Sequence, residues 1–106
     1  MNHQLIIQFP IADASADVFD RLIMLENELE LILRGRHQVD GHNIGTGVIN
    51  LRIRTDDPKE AFELAKAALS KKDLETIIVA NKQLNSDEYS ILWPGDFEGK
   101  FEIIPS

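Results

Sequence analysis

Eight consecutive residues, Asp40-Gly41-His42-Asn43-Ile44-Gly45-Thr46-Gly47, gather a carboxylate, an imidazole, an amide, a hydroxyl and three glycines. These groups support two kinds of chemistry. Asp40 and His42 can ligate a metal, or work as a base and its orienting carboxylate. The glycines let backbone amides turn toward an anion as a nest. With Arg52 and Arg54 close behind, the candidate ligand-binding set is Asp40, His42, Asn43, Thr46, Arg52 and Arg54. The competing reading is a plain hairpin loop with a bulge, in which glycines supply positive φ and Asp40 and Asn43 bond the local backbone. Two ligand types fall short of a metal site, and no H-x-x-x-H motif completes one. The spacing fits neither the dinucleotide fingerprint nor the Walker loop, which also needs a lysine. The expectation is therefore no metal, no cofactor and no catalytic set.

A second group of residues suits recognition of a protein. Asp17, Asp20, Glu26, Glu28 and Glu30 crowd one helical segment, and a carboxylate-rich surface steers toward basic partners. Tyr89 and Trp93 fall on one side of an alternating strand; aromatics anchor interfaces, although packing is their simpler task. His3 and His37 flank strand starts and read as solvated.

The elements that position these groups follow from periodicity. Gln4–Phe9 alternates, with Leu5, Ile7 and Phe9 inward and Gln4, Ile6 and Gln8 outward, and Pro10 closes it. Ile6 is an apolar residue on the polar side and calls for cover. Ser15 caps a helix in which Val18, Leu22, Leu25, Leu29 and Ile32 form an apolar stripe. Phe19, Ile23 and Leu33 widen that stripe, and Gly35 ends the helix. Gln38–Asp40 is a short extended piece before the glycine-rich loop. Val48–Thr55 is a strand with Ile49, Leu51 and Ile53 on one side and Asn50, Arg52 and Arg54 on the other. Asp57-Pro58-Lys59-Glu60 starts a second helix: Asp57 caps, Pro58 takes the first position and Glu60 reaches back to the cap amide. That helix is read through to Lys71 or Lys72. Thr76–Lys82 and Glu88–Trp93 are strands, and Lys100–Ile104 a last short one.

The order β-α-β-β-α-β predicts a single α+β domain over residues 1–106: a ferredoxin-like split βαβ sandwich. Both helices would cover one face of an antiparallel sheet extended by one or two C-terminal strands. Two activities known on such sandwiches are testable. RNA recognition needs aromatics on the open sheet face, where this chain has Gln4, Gln8, Asn50 and Arg52. An acylphosphatase needs an arginine cradle after the first strand, where Ile11–Ser15 has none and Asp13 would repel phosphate.

Composition narrows the classes further. The 106 residues carry eleven Lys+Arg against eighteen Asp+Glu, a net charge of -7, which argues against phosphate-backbone binding. There is no cysteine, so disulfides and thiol chemistry are excluded. Apolar runs are too short to span a bilayer. Met1-Asn2-His3-Gln4 has no basic stretch, so no secretory signal is expected. These points predict a cytoplasmic protein with no nucleic-acid and no membrane partner.

Val39–Gly47, followed by Thr55-Asp56-Asp57-Pro58 and Tyr89–Pro94, resembles a "VDGHxIGxG … TDDP … Y-x-x-LWP" layout of small uncharacterised bacterial proteins. The resemblance runs over nearly the whole chain; it implies one α+β domain and no established activity. In size and charge alone the chain is also similar to toxin-immunity proteins. Three functions compete on these grounds. The first is a non-enzymatic protein-binding domain, of the immunity or small-regulator kind. The second is a small-molecule or anion-binding domain, or an enzyme, built on the Asp40–Gly47 loop. The third is a homodimer covering Ile6 and Phe101-Glu102-Ile103-Ile104, because apolar patches seek cover.

Overall fold

The computed structural model describes residues 1–11, 16–97, 99 and 101. The Ser15 cap, the Ile11–Ser15 loop and the Lys100–Ile104 strand therefore lie wholly or largely outside the described residues. The described chain is α+β, with five strands and three helices. The strands are β1 (His3–Pro10), β2 (Gln38–Gly45), β3 (Val48–Thr55), β4 (Ile78–Gln83) and β5 (Ser90–Trp93). The helices are α1 (Ala16–Leu33), α2 (Pro58–Ala65) and α3 (Lys71–Thr76). The sheet order is β2-β3-β1-β4-β5, and every neighbouring pair is antiparallel.

β1 lies at the centre of the sheet and is buried on both faces, from Leu5 to Gln8. Leu5 and Ile7 are fully buried and pair with Ile53 and Leu51 of β3. With Ile49 and Val79 they meet Leu22, Leu25, Leu29 and Leu33 of α1 and Ala61, Phe62 and Ala65 of α2 in one cluster. Complete burial of each such leucine stabilises the fold by about 1.5–3 kcal/mol. The helices thus cover one sheet face.

The opposite face is not bare. Ile6 is 1% exposed and packs with Ala80 and Phe101, flanked by Ile78, Tyr89 and Ile91. The cover that the sequence demands for Ile6 comes from its own chain. Nearby, Gln8 donates to buried Asn50 through Nε2 at 2.9 Å.

Three local expectations change. The second helix does not run to Lys71. α2 ends at Ala65, a 3-10 turn spans Lys66–Ala68, and Leu69 is extended. Ser70 then caps α3: its hydroxyl accepts from the Asp73 amide, and the Asp73 carboxylate accepts from the Ser70 amide. This capping box restarts the helix where a continuous one was expected. Second, the glycine-rich loop is mostly strand: β2 extends to Gly45, leaving Thr46 and Gly47 to turn. Third, Phe19 and Ile23 are 37% and 56% exposed, so they do not widen the buried stripe of α1. A helix has one inward arc, and Leu22, Leu25, Leu29 and Leu33 already fill it.

Candidate functional site

The Asp40–Gly47 residues are distributed by a β-bulge. Across β2 and β3, Val39 pairs with Ile53 and His42 with Leu51, so Asp40 and Gly41 together oppose Arg52. One extra residue inverts the alternation beyond it. Val39, His42 and Ile44 consequently share the helix-covered face, whereas Asn43 pairs with Asn50 on the opposite side. Gly41 adopts φ +82°, and a Cβ there would stand 3.4 Å from Arg52 Nη2. The bulge is thus a place that glycine suits.

The consequence is two separate clusters. On the helix side, His42 Nδ1 bonds the Glu26 carboxylate of α1. On the other side, Arg52 donates from Nη1 to Asn43 Oδ1 at 3.0 Å and from Nη2 to the Asp40 carbonyl at 3.1 Å. Arg54 Nε reaches Asp40 Oδ2 at 3.2 Å. Asp40, Asn43, Arg52 and Arg54 therefore meet, but they satisfy one another. His42 is not with them, and Thr46 sits exposed in the turn. Among the described residues no group of three or more His, Asp or Glu side chains could hold a metal ion.

A chemically suggestive trio that the sequence reading missed lies elsewhere. His37 is buried, not solvated, with Nδ1 2.6 Å from Thr55 Oγ1 and Nε2 2.9 Å from Glu60 Oε1. A hydroxyl, an imidazole and a carboxylate in series resemble a nucleophile relay. Burial excludes that role: Thr55 has no exposed surface, and its oxygen already accepts the Asp57 amide at 2.9 Å. The trio fastens the start of α2 to the segment after α1. Glu60 also takes Arg36 at 2.8 Å, so its carboxylate does not reach back to the cap amide as expected. Asp57 still caps, accepting the Glu60 amide at 3.1 Å. The sequence signal was present in Thr55 and Glu60 flanking the cap, but the partner, His37, is remote in sequence.

Tyr89 and Trp93 do not share a surface. Tyr89 packs edge-on against Phe101, with ring centroids 5.0 Å apart, and lies in the cluster around Ile6. Burial, and then the nearby Asp87 charge, push its hydroxyl above the ordinary tyrosine value. Trp93 packs on the helix side, 6.0 Å from Phe62, and donates from Nε1 to the Leu74 carbonyl at 2.7 Å. A register shift between Val79 and Ala80 in the β4–β5 pairing accounts for the change of side.

The acidic set divides too. Glu26 is occupied by His42, whereas Asp17, Asp20, Glu28 and Glu30 are exposed along the outside of α1. Between them stand Phe19, Ile23, Met24 and Leu31, exposed by 37%, 56%, 71% and 66%. Only two other large apolar side chains, Met1 and Leu84, are comparably exposed among the described residues. Scattered apolar surface is ordinary, but concentration on one helix is not. A shallow groove of about 350 Å³ runs beside this face, lined by Asp17, Asp20, Met24, Glu28 and Ala68 among others.

In the first half of α1, Arg21, which also lines this groove, pairs with Asp73 of α3. Burial raises the Asp73 carboxyl, but the Arg21 hydrogen bond, the Ser70 amide and hydroxyl, and the Arg21 charge outweigh it. The group is held below its ordinary carboxylate value.

Comparison of the chain with known protein families, curated proteins and solved structures finds no match. No helix of the described residues is long and apolar enough to cross a membrane.

Proposed function

We propose that this protein is a non-enzymatic protein-binding domain that takes a basic, partly apolar partner on the outer face of α1. The observation that carries this reading is the interleaving of Phe19, Ile23, Met24 and Leu31 with Asp17, Asp20, Glu28 and Glu30. Apolar side chains supply desolvated contact, and the carboxylates supply steering and select against acidic partners. The groove beside Met24 sets three carboxylates, Asp17, Asp20 and Glu28, against one cation, Arg21, so a lysine or arginine lying along Met24 would find its charge answered. An immunity protein or small regulator falls within this class. Glu26, Tyr89 and Trp93 drop out of the recognition surface because each is engaged within the chain. The alternative site at Asp40–Gly47 is weaker for the same reason: Arg54 is paired with the Asp40 carboxylate, and Arg52 is engaged by Asn43 and the Asp40 carbonyl.

We also read the fold as a ferredoxin-like split βαβ sandwich. In support, β3 lies between β1 and β2, β4 lies on the other side of β1, and the helices share one face. The addition of α3 and of β5 beside β4 departs from the simplest form.

The test is fluorescence anisotropy with a labelled amphipathic helical peptide of leucine and lysine. Saturable, salt-sensitive binding is expected. It should weaken about tenfold with Asp20→Lys plus Glu28→Lys, and again with Ile23→Ser. Unchanged binding by both variants, or equal binding of an acidic counterpart peptide, would refute the proposal.

A further inference from the structure

We propose that the half-open cavity between the end of β1, the start of α1 and α3 binds a small amphipathic anion, namely a monocarboxylate carrying a short apolar chain. The cavity shares Arg21 and Leu25 with the groove on the outer face of α1, but its other lining residues belong to β1, β3 and the α3 region and to the inward side of α1. The cavity holds about 460 Å³, within the range of roughly 300–1,000 Å³ common for small-molecule sites.

Its lining is divided by element. β1, α1 and β3 contribute apolar walls, including Phe9, Val18, Leu22 and Ile49. The polar lining comes from the α3 region and from Arg21, which reaches across to it. A ligand filling this space must be apolar over most of its surface and polar where it meets α3.

Charge then selects the head group. Among the described lining residues, two cations, Arg21 and Lys72, stand against one carboxylate, Asp73. Asp73 is already satisfied by Arg21 and by the Ser70 amide at 2.9 Å. Arg21 spends Nη2 on that pair, and among the described residues its Nε and Nη1 have no partner. Lys72 Nζ likewise makes no ion pair or hydrogen bond among the described residues. The described lining is therefore net cationic on a chain whose net charge is -7. A guanidinium can bond two carboxylates at once from different edges of its planar fork. The ligand carboxylate would take the edge of Arg21 that Asp73 leaves and draw Lys72 toward it. An alcohol of equal length would bring no charge to either cation, and an alkylammonium would meet repulsion.

The experiment is an amide-resolved NMR titration of the full chain with octanoate, alongside 1-octanol and octyltrimethylammonium at matched ionic strength. Saturable shifts at Val18, Leu22, Ile49 and residues 70–76 are expected with octanoate, with the other two at least about tenfold weaker. Lys72→Glu, at an exposed position, should weaken octanoate about tenfold or more while leaving the spectrum folded. Val18→Trp should fill the cavity and abolish binding; if it disrupts the fold, Lys72→Glu decides alone. Absence of saturation in the millimolar range would overturn the proposal. So would equal binding of 1-octanol, preference for the ammonium, or shifts confined to the outer face of α1.

Discussion

Replacing Asp73 by alanine tests the idea that α3 depends on its cap. α3 has six residues, far below the length at which a helix persists alone in water. Two contributions disappear with the carboxylate. The bond from the Ser70 amide is half of a capping box, and such caps contribute about 1 kcal/mol. The Arg21 pair adds roughly 0.5 kcal/mol, because the Arg21 side chain is 62% exposed and water screens it. The expected loss for Asp73→Ala is thus about 1.5 kcal/mol, a fall in Tm of roughly 6 °C for a chain of this size. Urea unfolding followed by tryptophan fluorescence measures it, since Trp93 bonds Leu74 within α3. A double-mutant cycle with Arg21→Ala should return a coupling of about 0.5 kcal/mol. The acid limb supplies a second reading. Asp73 titrates lower when folded, so its contribution is complete above its unfolded value, near 4, and is lost as pH falls through the folded value. The stability gap between the natural chain and Asp73→Asn should therefore shrink on acidification below about pH 4. A gap that stays constant with pH, or a loss below about 0.5 kcal/mol for Asp73→Ala, would refute the reasoning.

Other outcomes follow from the same contacts. Thr55→Val should cost about 2 kcal/mol by chemical denaturation, because buried His37 and the Asp57 amide both lose a partner. Gly41→Ala should cost about 1–2 kcal/mol, measured the same way, since alanine resists φ +82°. Tyr89 titrates higher when folded, so its contribution is complete below about pH 10 and fades as pH rises through the folded value. Tyr89→Phe should accordingly flatten the alkaline fall in stability, read as Tm against pH.

Much of the architecture is legible wherever one face of an element is strictly apolar. β3 announces itself because Ile49, Leu51 and Ile53 alternate with polar residues, and β1 does so apart from Ile6 between Leu5 and Ile7. The buried stripe of α1 is equally plain. Its width is not, because Phe19 and Ile23 have helical spacing whether they face the core or water. The division of α2 from α3 was written in Ser70-Lys71-Lys72-Asp73, a capping box obscured by good helix formers on both sides. The candidate site was the least legible part. Asp40, His42 and Asn43 are neighbours in sequence, yet a two-against-one register sends His42 to Glu26 and Asn43 to Arg52. Composition alone did not determine which strand carries the extra residue. The His37 and Asp73 networks each join groups from separate elements, which no local pattern reveals.

The bulge at Asp40 and Gly41 has a consequence beyond the sorting of side chains. β2 is an outermost strand, and a regular strand there would offer a template for edge-to-edge growth. Here the row is interrupted midway, its Asp40 carbonyl is drawn to Arg52, and its carboxylate is held by Arg54. At the opposite margin β5 is only four residues long. Interruption protects one margin of the sheet and brevity the other, so a concentrated solution of this protein should resist fibril formation seeded by strand addition.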